Sequence, residues 1–242
     1  MYILGIDTAT LVCSAAVVSG EQTLAEYNLQ VKKTHSERLL PLIDTMLRDT
    51  GLSAARLGAV AVAAGPGSFT GIRIGMVTAK ALGQALDVPL VGVSTLEALA
   101  AAHPHFPGVI APILDARRDQ VYNAIFTAGH SPGRVTDDRA FPLSRLLEEL
   151  SGRDEQVLFV GDGVAVHRPA IEKALGERAC FMPPEGGICR AAVVARLGLS
   201  ALEAGRGRTW RNLVPVYVRR SEAEVRYEQR VCQGGTVDDS CH

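Results

Sequence analysis

Aromatic residues and long apolar runs are scarce in this chain. It contains 6 Phe, 5 Tyr and 1 Trp among 242 residues, too few for the aromatic platforms that stack on single-stranded nucleic acid. A net charge of −1 excludes a broad basic surface for binding phosphate backbones. No stretch reaches the roughly 18 apolar residues of a membrane-spanning helix, and residues 1–6 lack the basic start of a leader. We therefore expect a cytoplasmic protein with no membrane contact.

Cysteine and histidine are also sparse and scattered. The cysteines form no Cys-x-x-Cys pair, which favours reduced thiols over a disulfide framework or a zinc knuckle; they are Cys13, Cys180, Cys189, Cys232 and Cys241. No two histidines stand four residues apart, the spacing that places two metal ligands on one helical face. The sequence therefore predicts no metal site and no cofactor held by this chain alone.

The first hundred residues alternate between strand and helix patterns. Three short apolar runs at the start predict an antiparallel meander. Thr34 and Glu37 have capping-box spacing, and Pro41 should kink the helix that they begin. Apolar periodicity then predicts a helix over 34–50, a strand over 59–64, a helix over 68–86, a strand over 88–93 and a helix over 94–102. This order predicts an α/β fold with a mixed sheet flanked by helices.

The second half repeats this order more weakly after a proline-rich segment at 103–108. Val109 to Leu114 ends at Asp115 as Tyr2 to Ile6 ends at Asp7, a third strand is expected around 134–140, and Val157 to Val160 runs into a second glycine turn. Helices are expected at 143–150, 164–175 and 188–204, and a last strand over 213–218. We therefore predict a duplication with domains at 1–103 and 104–220, part of the second returning to the first, and a flexible tail over 221–242.

The most informative segment is Gly65-Pro66-Gly67-Ser68-Phe69-Thr70-Gly71-Ile72-Arg73. A strand that stops at a glycine turn and opens a helix exposes backbone N–H groups, which suits an anion or a close contact. Gly71, Gly75, Ala79 and Gly83 then recur every fourth residue along one helical face. Each glycine costs about 1 kcal/mol against alanine inside a helix. We interpret the stripe as a site where the backbone of another helix approaches closely.

Several motifs together resemble one bacterial family. They are Ile3-Leu4-Gly5-Ile6-Asp7-Thr8-Ala9-Thr10, His35-Ser36-Glu37-Arg38-Leu39-Leu40-Pro41, the glycine segment from Gly65 to Arg73, and Asp115-Ala116-Arg117-Arg118. In this order they resemble the TsaB (YeaZ) family over nearly the whole chain, from Tyr2 to about Arg220. The resemblance implies two RNase H-like halves of the ASKHA type, the superfold of actins and sugar kinases.

The same resemblance implies a function and a set of partners. Members of the family assist TsaD, the catalytic subunit that forms N6-threonylcarbamoyladenosine at position 37 of tRNAs reading ANN codons. The implied role is a non-catalytic scaffold or activator with no catalytic residues of its own. It would form a heterodimer with TsaD, join the TsaE ATPase in a larger complex, reach tRNA through that complex, and form a homodimer when alone. ATP and a metal ion would then be used by the partner subunits.

Two helices are the predicted partner interface. Helix 68–86 is apolar nearly all round, and a helix of that kind is usually buried on two sides, one of them here the sheet. The kinked helix 34–50 lies before it with its own apolar stripe. The predicted interface residues are His35, Leu39, Leu40, Ile43, Met46, Gly71, Ile72, Gly75, Met76, Ala79 and Gly83.

Weak nucleotide or phosphate contact stays open as an alternative, through Asp7, Thr8, Thr10 and Asp115. The competing interpretation of Asp7 is an aspartate that caps a turn. In TsaD the matching helix carries a His-x-x-x-His metal pair, whose positions fall on Thr95 and Leu99 here. The runner-up function is a stand-alone ATP-dependent kinase or ATPase that uses Asp7 and Asp115, and the third is a peptidase acting on TsaD.

Overall fold

The computed structural model describes residues 1–20, 22–30, 34–117 and 119–219, so the predicted tail over 221–242 lies outside it. Strand and helix alternate as the apolar patterns predict. The strands are β1 Tyr2–Asp7, β2 Cys13–Ser19, β3 Gln22–Leu29, β4 Leu57–Gly65, β5 Leu90–Ser94, β6 Val109–Asp115, β7 Gln120–Asn123, β8 Phe126–Thr127, β9 Gly133–Arg134, β10 Arg139–Pro142, β11 Val157–Val160 and β12 Ala179–Phe181. The helices are α1 His35–Asp49, α2 Phe69–Leu86, α3 Thr95–Ala101, α4 Leu143–Ser151, α5 Gly163–Leu175 and α6 Ala191–Glu203.

The two halves carry sheets of the same topology. The first sheet has the order β3-β2-β1-β4-β5, and the main path of the second is β10-β7-β6-β11-β12. In each half the first three strands pair antiparallel and the last two join the first in parallel. This is the RNase H-like strand order, present twice. The predicted fold class and the predicted duplication are therefore confirmed.

The sheets and helices stack in layers because alternate strand residues face opposite sides. In β4, Val60 and Val62 join the core beneath α1 and α2, whereas Ala59, Ala61 and Ala63 join the core shared with α3 and α6. The second sheet contributes residues to that shared core and also packs against α4 and α5. Helices α3 and α6 thus lie between the two sheets, and the other four helices lie outside them.

Helix α6 returns from the second half to the first sheet. A Cβ on Gly5 of β1 would overlap the Ala191 carbonyl oxygen, and one on Gly198 would overlap Ala61, so small residues allow the helix to lie close. The Ala191 amide donates to Ser14 Oγ at 3.0 Å, and the Ala192 amide donates to Glu26 Oε1 at 3.0 Å. Part of the second half therefore completes the core of the first.

Three local predictions need correction. Thr34 makes no side-chain capping bond; its carbonyl accepts from the Glu37 amide at 3.1 Å instead, so the capping box is wrong. The strand expected around 134–140 is two short strands, β9 and β10. Residues 213–218 form no strand, and their one backbone bond to a strand among the described residues runs from the Val216 amide to the Ala64 carbonyl at 2.8 Å.

Candidate functional site

The two halves face each other across a cleft with a volume of about 770 Å³. The turns that follow β1 and β6 line it at Thr10 and Asp115, because both turns lie at the same end of their sheets. The glycine loop between β4 and α2 forms another wall, with Gly67 and Ser68. Residues 216–219 line the cleft as well. The duplicated fold thus brings its two equivalent turns to one site.

Asp7 lies directly beneath this cleft but is completely buried. Its carboxylate accepts from the Ala9 amide at 2.9 Å and from the Thr10 hydroxyl at 2.9 Å, so it stabilises the turn that follows β1. Burial raises the pKa of Asp7 from 3.8 to about 6, against the lowering effect of these hydrogen bonds. Asp7 thus makes the capping contacts that the competing interpretation describes.

The second half repeats the capped turn with Asp115. Its carboxylate accepts from the Arg117 amide at 2.7 Å, and its own amide donates to Asp162 Oδ1 at 3.1 Å. Burial raises the pKa of Asp162, and the nearby Asp115 carboxylate raises it further. Of the four predicted phosphate-contact residues, only Thr10 and Asp115 line the cleft. Thr8 is 1% exposed and Asp7 is fully enclosed, which corrects the prediction for those two.

The glycine loop is filled by the chain's own backbone. Gly65 has a φ of +120°, which favours glycine, and a Cβ there would overlap the Val216 carbonyl oxygen. A Cβ on Gly67 would overlap the Ala9 carbonyl oxygen, to which the Ser68 amide donates at 2.8 Å. Ser68 Oγ accepts from the Gly71 amide and so caps α2. The close approaches that the glycines permit are therefore internal.

The small-residue stripe of α2 also faces the chain's own first sheet. Gly71, Gly75, Ala79 and Gly83 are all buried. A Cβ on Gly71 would overlap the carbonyl oxygen of Thr8, whose hydroxyl donates to the Gly71 carbonyl at 2.7 Å. The prediction that this stripe meets a partner helix is wrong, because the turn after β1 and Leu90 of β5 occupy the space that the glycines leave.

Most of the remaining predicted interface residues are core residues too. Each of the following is at most 4% exposed: Leu39, Ile43, Met46, Ile72 and Met76. Leu40, in contrast, is 55% exposed, and His35 is half-buried with its Nε2 3.0 Å from the Thr10 carbonyl. The predicted interface residues did not include Val77, which is 65% exposed on α2. Its position four residues after Arg73, on the face opposite the stripe, was the available signal.

Histidine or carboxylate clusters suited to a metal are absent from the described residues, where no group of three or more His, Cys, Asp or Glu side chains converges. Thr95 and Leu99, the positions that match the TsaD metal pair, are 0% and 1% exposed and belong to the core. Leucine has no lone pair to donate to a metal. Within the described part of the chain, no helix combines the length and apolarity needed to cross a membrane.

Comparisons with known proteins agree with this architecture. The family model described as "TsaD: tRNA N6-adenosine threonylcarbamoyltransferase" matches residues 23–227. The tRNA threonylcarbamoyladenosine biosynthesis protein TsaB of Bacillus subtilis (strain 168) is 37% identical over 228 residues, which cover 94% of this chain and 98% of that protein. YeaZ from Pseudomonas aeruginosa superposes with a TM-score of 0.77 at 25% identity, over 89% of this chain and 99% of the other.

A more distant likeness concerns the fold alone. The ethanolamine utilization protein EutJ from Carboxydothermus hydrogenoformans has a TM-score of 0.51 at 14% identity, covering 82% of this chain and 90% of its own. The similarity to B. subtilis TsaB, in contrast, extends over almost the full length of both proteins. This chain therefore belongs to the TsaB family of tRNA threonylcarbamoyladenosine biosynthesis proteins.

Proposed function

We propose that this protein is a non-catalytic scaffold subunit that supports threonylcarbamoyladenosine formation in tRNA by docking on the catalytic subunit TsaD. Membership of the TsaB family supports a role in the formation of threonylcarbamoyladenosine. The docking surface is the outer face of α1 and α2, which carries Leu40 and Val77. These apolar side chains are 55% and 65% exposed on two helices that contact each other. Exposed apolar residues on neighbouring helices suit a protein interface, and this observation carries the proposal.

The geometry of the cleft favours a scaffold function over that of a stand-alone kinase or ATPase. A phosphate-binding loop needs free backbone N–H groups and open space beside its glycines. Here Val216 and Ala9 lie against the loop glycines, and Asp7 is sealed below the turn. Nucleotide contact by Thr10 and Asp115 remains compatible with this arrangement, as does ATP and metal use by TsaD and TsaE. The purified protein alone is expected to show no ATP turnover, and therefore no activity that the Asp7→Asn substitution could abolish.

The test combines depletion with a charged substitution on the docking surface. Depleting the protein should lower threonylcarbamoyladenosine in bulk tRNA, measured by mass spectrometry of nucleosides, and expression of the parent chain should restore it. Val77→Arg should fail to restore it and should weaken binding to purified TsaD by roughly tenfold or more, because it places a charge in an apolar contact. The matched control is Val135→Arg, since Val135 is 42% exposed in the second half.

Two outcomes would contradict the proposal. Unchanged threonylcarbamoyladenosine after depletion would remove the functional assignment. Parent-like TsaD binding by Val77→Arg would place the interface elsewhere on the molecule. Size-exclusion chromatography with mass detection, run with and without TsaD, would then distinguish a heterodimer from self-association, because a second copy could occupy the same α1–α2 face.

A further inference from the structure

Residues 213–219, which we call the strap, run along the cleft side of the first half. Leu213 is 6% exposed, and its Cδ1 lies 3.1 Å from the position of a Cβ on Gly92 of β5. The Val216 amide donates to the Ala64 carbonyl at 2.8 Å, and the Val216 carbonyl fills the notch at Gly65. The strap is therefore anchored at the carboxyl end of β4, beside the glycine loop.

The end of the strap reaches the second half. Arg219 Nη1 donates to the Ala116 carbonyl at 2.7 Å, immediately after β6. Burial raises the pKa of Tyr122 on β7, and the Arg219 charge opposes that shift, which is consistent with a guanidinium close to this hairpin. The strap thus makes contacts with both halves within a few residues.

Two side-chain contacts between the halves lie away from the cleft. Ser94 Oγ donates to Asp138 Oδ2 at 2.8 Å, and Arg134 pairs with Glu97 at 3.4 Å, while α3 and α6 fill the space between the sheets. None of the four side chains in these two contacts lines the cleft, although Ile72 and Leu114 of the shared core do. The two halves are therefore packed together on the α3–α6 side, and the strap crosses between them on the open side.

The strap also contacts the helix that carries the docking surface. The Tyr217 ring lies 4.9 Å from the Phe69 ring, and the Arg73 guanidinium lies 3.9 Å above Phe69. Arg73 Nε donates to the Tyr217 hydroxyl at 3.1 Å. Arg73 is exposed and precedes Val77 by one helical turn, so the two side chains are neighbours on one face of α2. A protein that covers Val77 would therefore also approach the Arg73–Tyr217 contact.

We propose that the strap is a latch: the contact of Arg219 with Ala116 fixes the width of the cleft, and Tyr217 couples that width to the outer face of α2. Release of the Arg219–Ala116 bond would allow the halves to rotate about the α3–α6 side, since packed interfaces permit small rigid-body movements of that kind. The coupling part of this inference rests on the docking function proposed above, whereas the latch itself does not.

The latch is tested by a distance measurement across the cleft. Spin labels at Thr45→Cys on α1 and Lys173→Cys on α5, in a chain with Cys180, Cys232 and Cys241 replaced by serine, report the separation of the halves by pulsed electron resonance. Arg219→Ala should broaden the distance distribution or shift it by roughly 5 Å. Arg219→Lys retains a donor and should stay closer to the parent distribution.

Arg168→Ala is the matched control, because Arg168 pairs with Glu172 within α5 and should leave the distance unchanged. Circular dichroism and a thermal melt confirm that each variant is folded. A folded Arg219→Ala protein with the parent distribution would overturn the latch.

The coupling is tested separately with purified TsaD. By linkage, opening the latch should change TsaD affinity by about fivefold or more for Arg219→Ala, although residue 219 lies off the α2 surface. Tyr217→Phe keeps the ring on Phe69 but removes the acceptor for Arg73, so it should reproduce part of that change. Unaltered affinity with a shifted distance would overturn the coupling alone. Failure of the parent to bind TsaD would count against the docking function and leave the distance test intact.

Discussion

At the scale of single residues, the structure assigns Asp7 to the stability of the turn after β1. Its two carboxylate oxygens are used by Ala9 and Thr10, and the side chain is shielded from solvent. A buried carboxylate keeps its charge only at a cost, which its hydrogen bonds offset in part. The pKa of Asp7 at about 6 expresses that balance.

This balance predicts a pH dependence of stability. Between 3.8 and about 6, folded Asp7 holds a proton that the unfolded chain has released, so the free energy of unfolding should fall as pH rises. The contribution of this one group amounts to about 3 kcal/mol. Asp7→Asn should remove that part of the slope in urea unfolding between pH 4 and pH 7. The exposed Asp44→Asn variant should retain it, and equal slopes for Asp7→Asn and the parent would contradict the assignment.

At the scale of the element, α2 shows how one helix divides its faces. The buried face consists of small residues that lie against the turn after β1 and against the strands, whereas the outer face carries Arg73 and Val77. The glycines of α2 differ in the kind of atom that lies against them. Backbone faces Gly71, but a flexible side chain faces Gly83, where a Cβ would lie 2.6 Å from Leu90 Cδ2.

That difference predicts a graded series of alanine substitutions. Gly71→Ala should destabilise the protein by roughly 2–3 kcal/mol, because the Thr8 carbonyl cannot move without disturbing the turn. Gly83→Ala should stay within about 1 kcal/mol of the parent, since Leu90 can shift and alanine favours the helix. Urea denaturation measures both, and Gly83→Ala serves as the matched control. Equal losses would mean that the stripe is not in backbone contact with the turn.

At the scale of the whole molecule, the two halves share structure. Helix α6 follows the second sheet in the chain but packs on the first, and residues 213–219 then cross the cleft mouth. The predicted domain boundary at 103/104 separates the two sheets in sequence, yet the first sheet without α6 lacks the cover over Gly5 and Ala61.

A chain that ends at residue 187 is therefore expected to be unstable. It would lack α6 and the strap, leaving an apolar sheet face in water, so it should lose cooperative thermal unfolding and bind an apolar dye. A chain ending at residue 219 retains both elements and is the matched comparison. Cooperative melting of the shorter chain near the temperature of the longer one would show that the first half folds without α6.

Most of the fold could be predicted from local apolar patterns, because the periodicity of a strand or a helix appears within a short window of the chain. They predicted every strand of the first half, the six α-helices of the described residues and the duplication, whereas specific motifs provided the family resemblance. The same patterns also indicated that Gly71 and Gly75 permit a close contact. They predicted the wrong neighbour, since a notch in a helix is equally open to a partner helix and to the chain's own turn.

The arrangement of the site depended on contacts between residues far apart in the chain. Arg73 meets Tyr217 across 144 positions, and Arg219 meets Ala116 across 103 positions, although residues 213–218 alone suggested an ordinary strand. Periodicity describes how apolar side chains are distributed around an element, but packing decides which side is covered and by what. For this protein the chain's own chemistry was enough to establish its class and kinship. Only the folded arrangement distinguished the buried glycine face from the exposed Leu40 and Val77, and revealed the strap over the cleft.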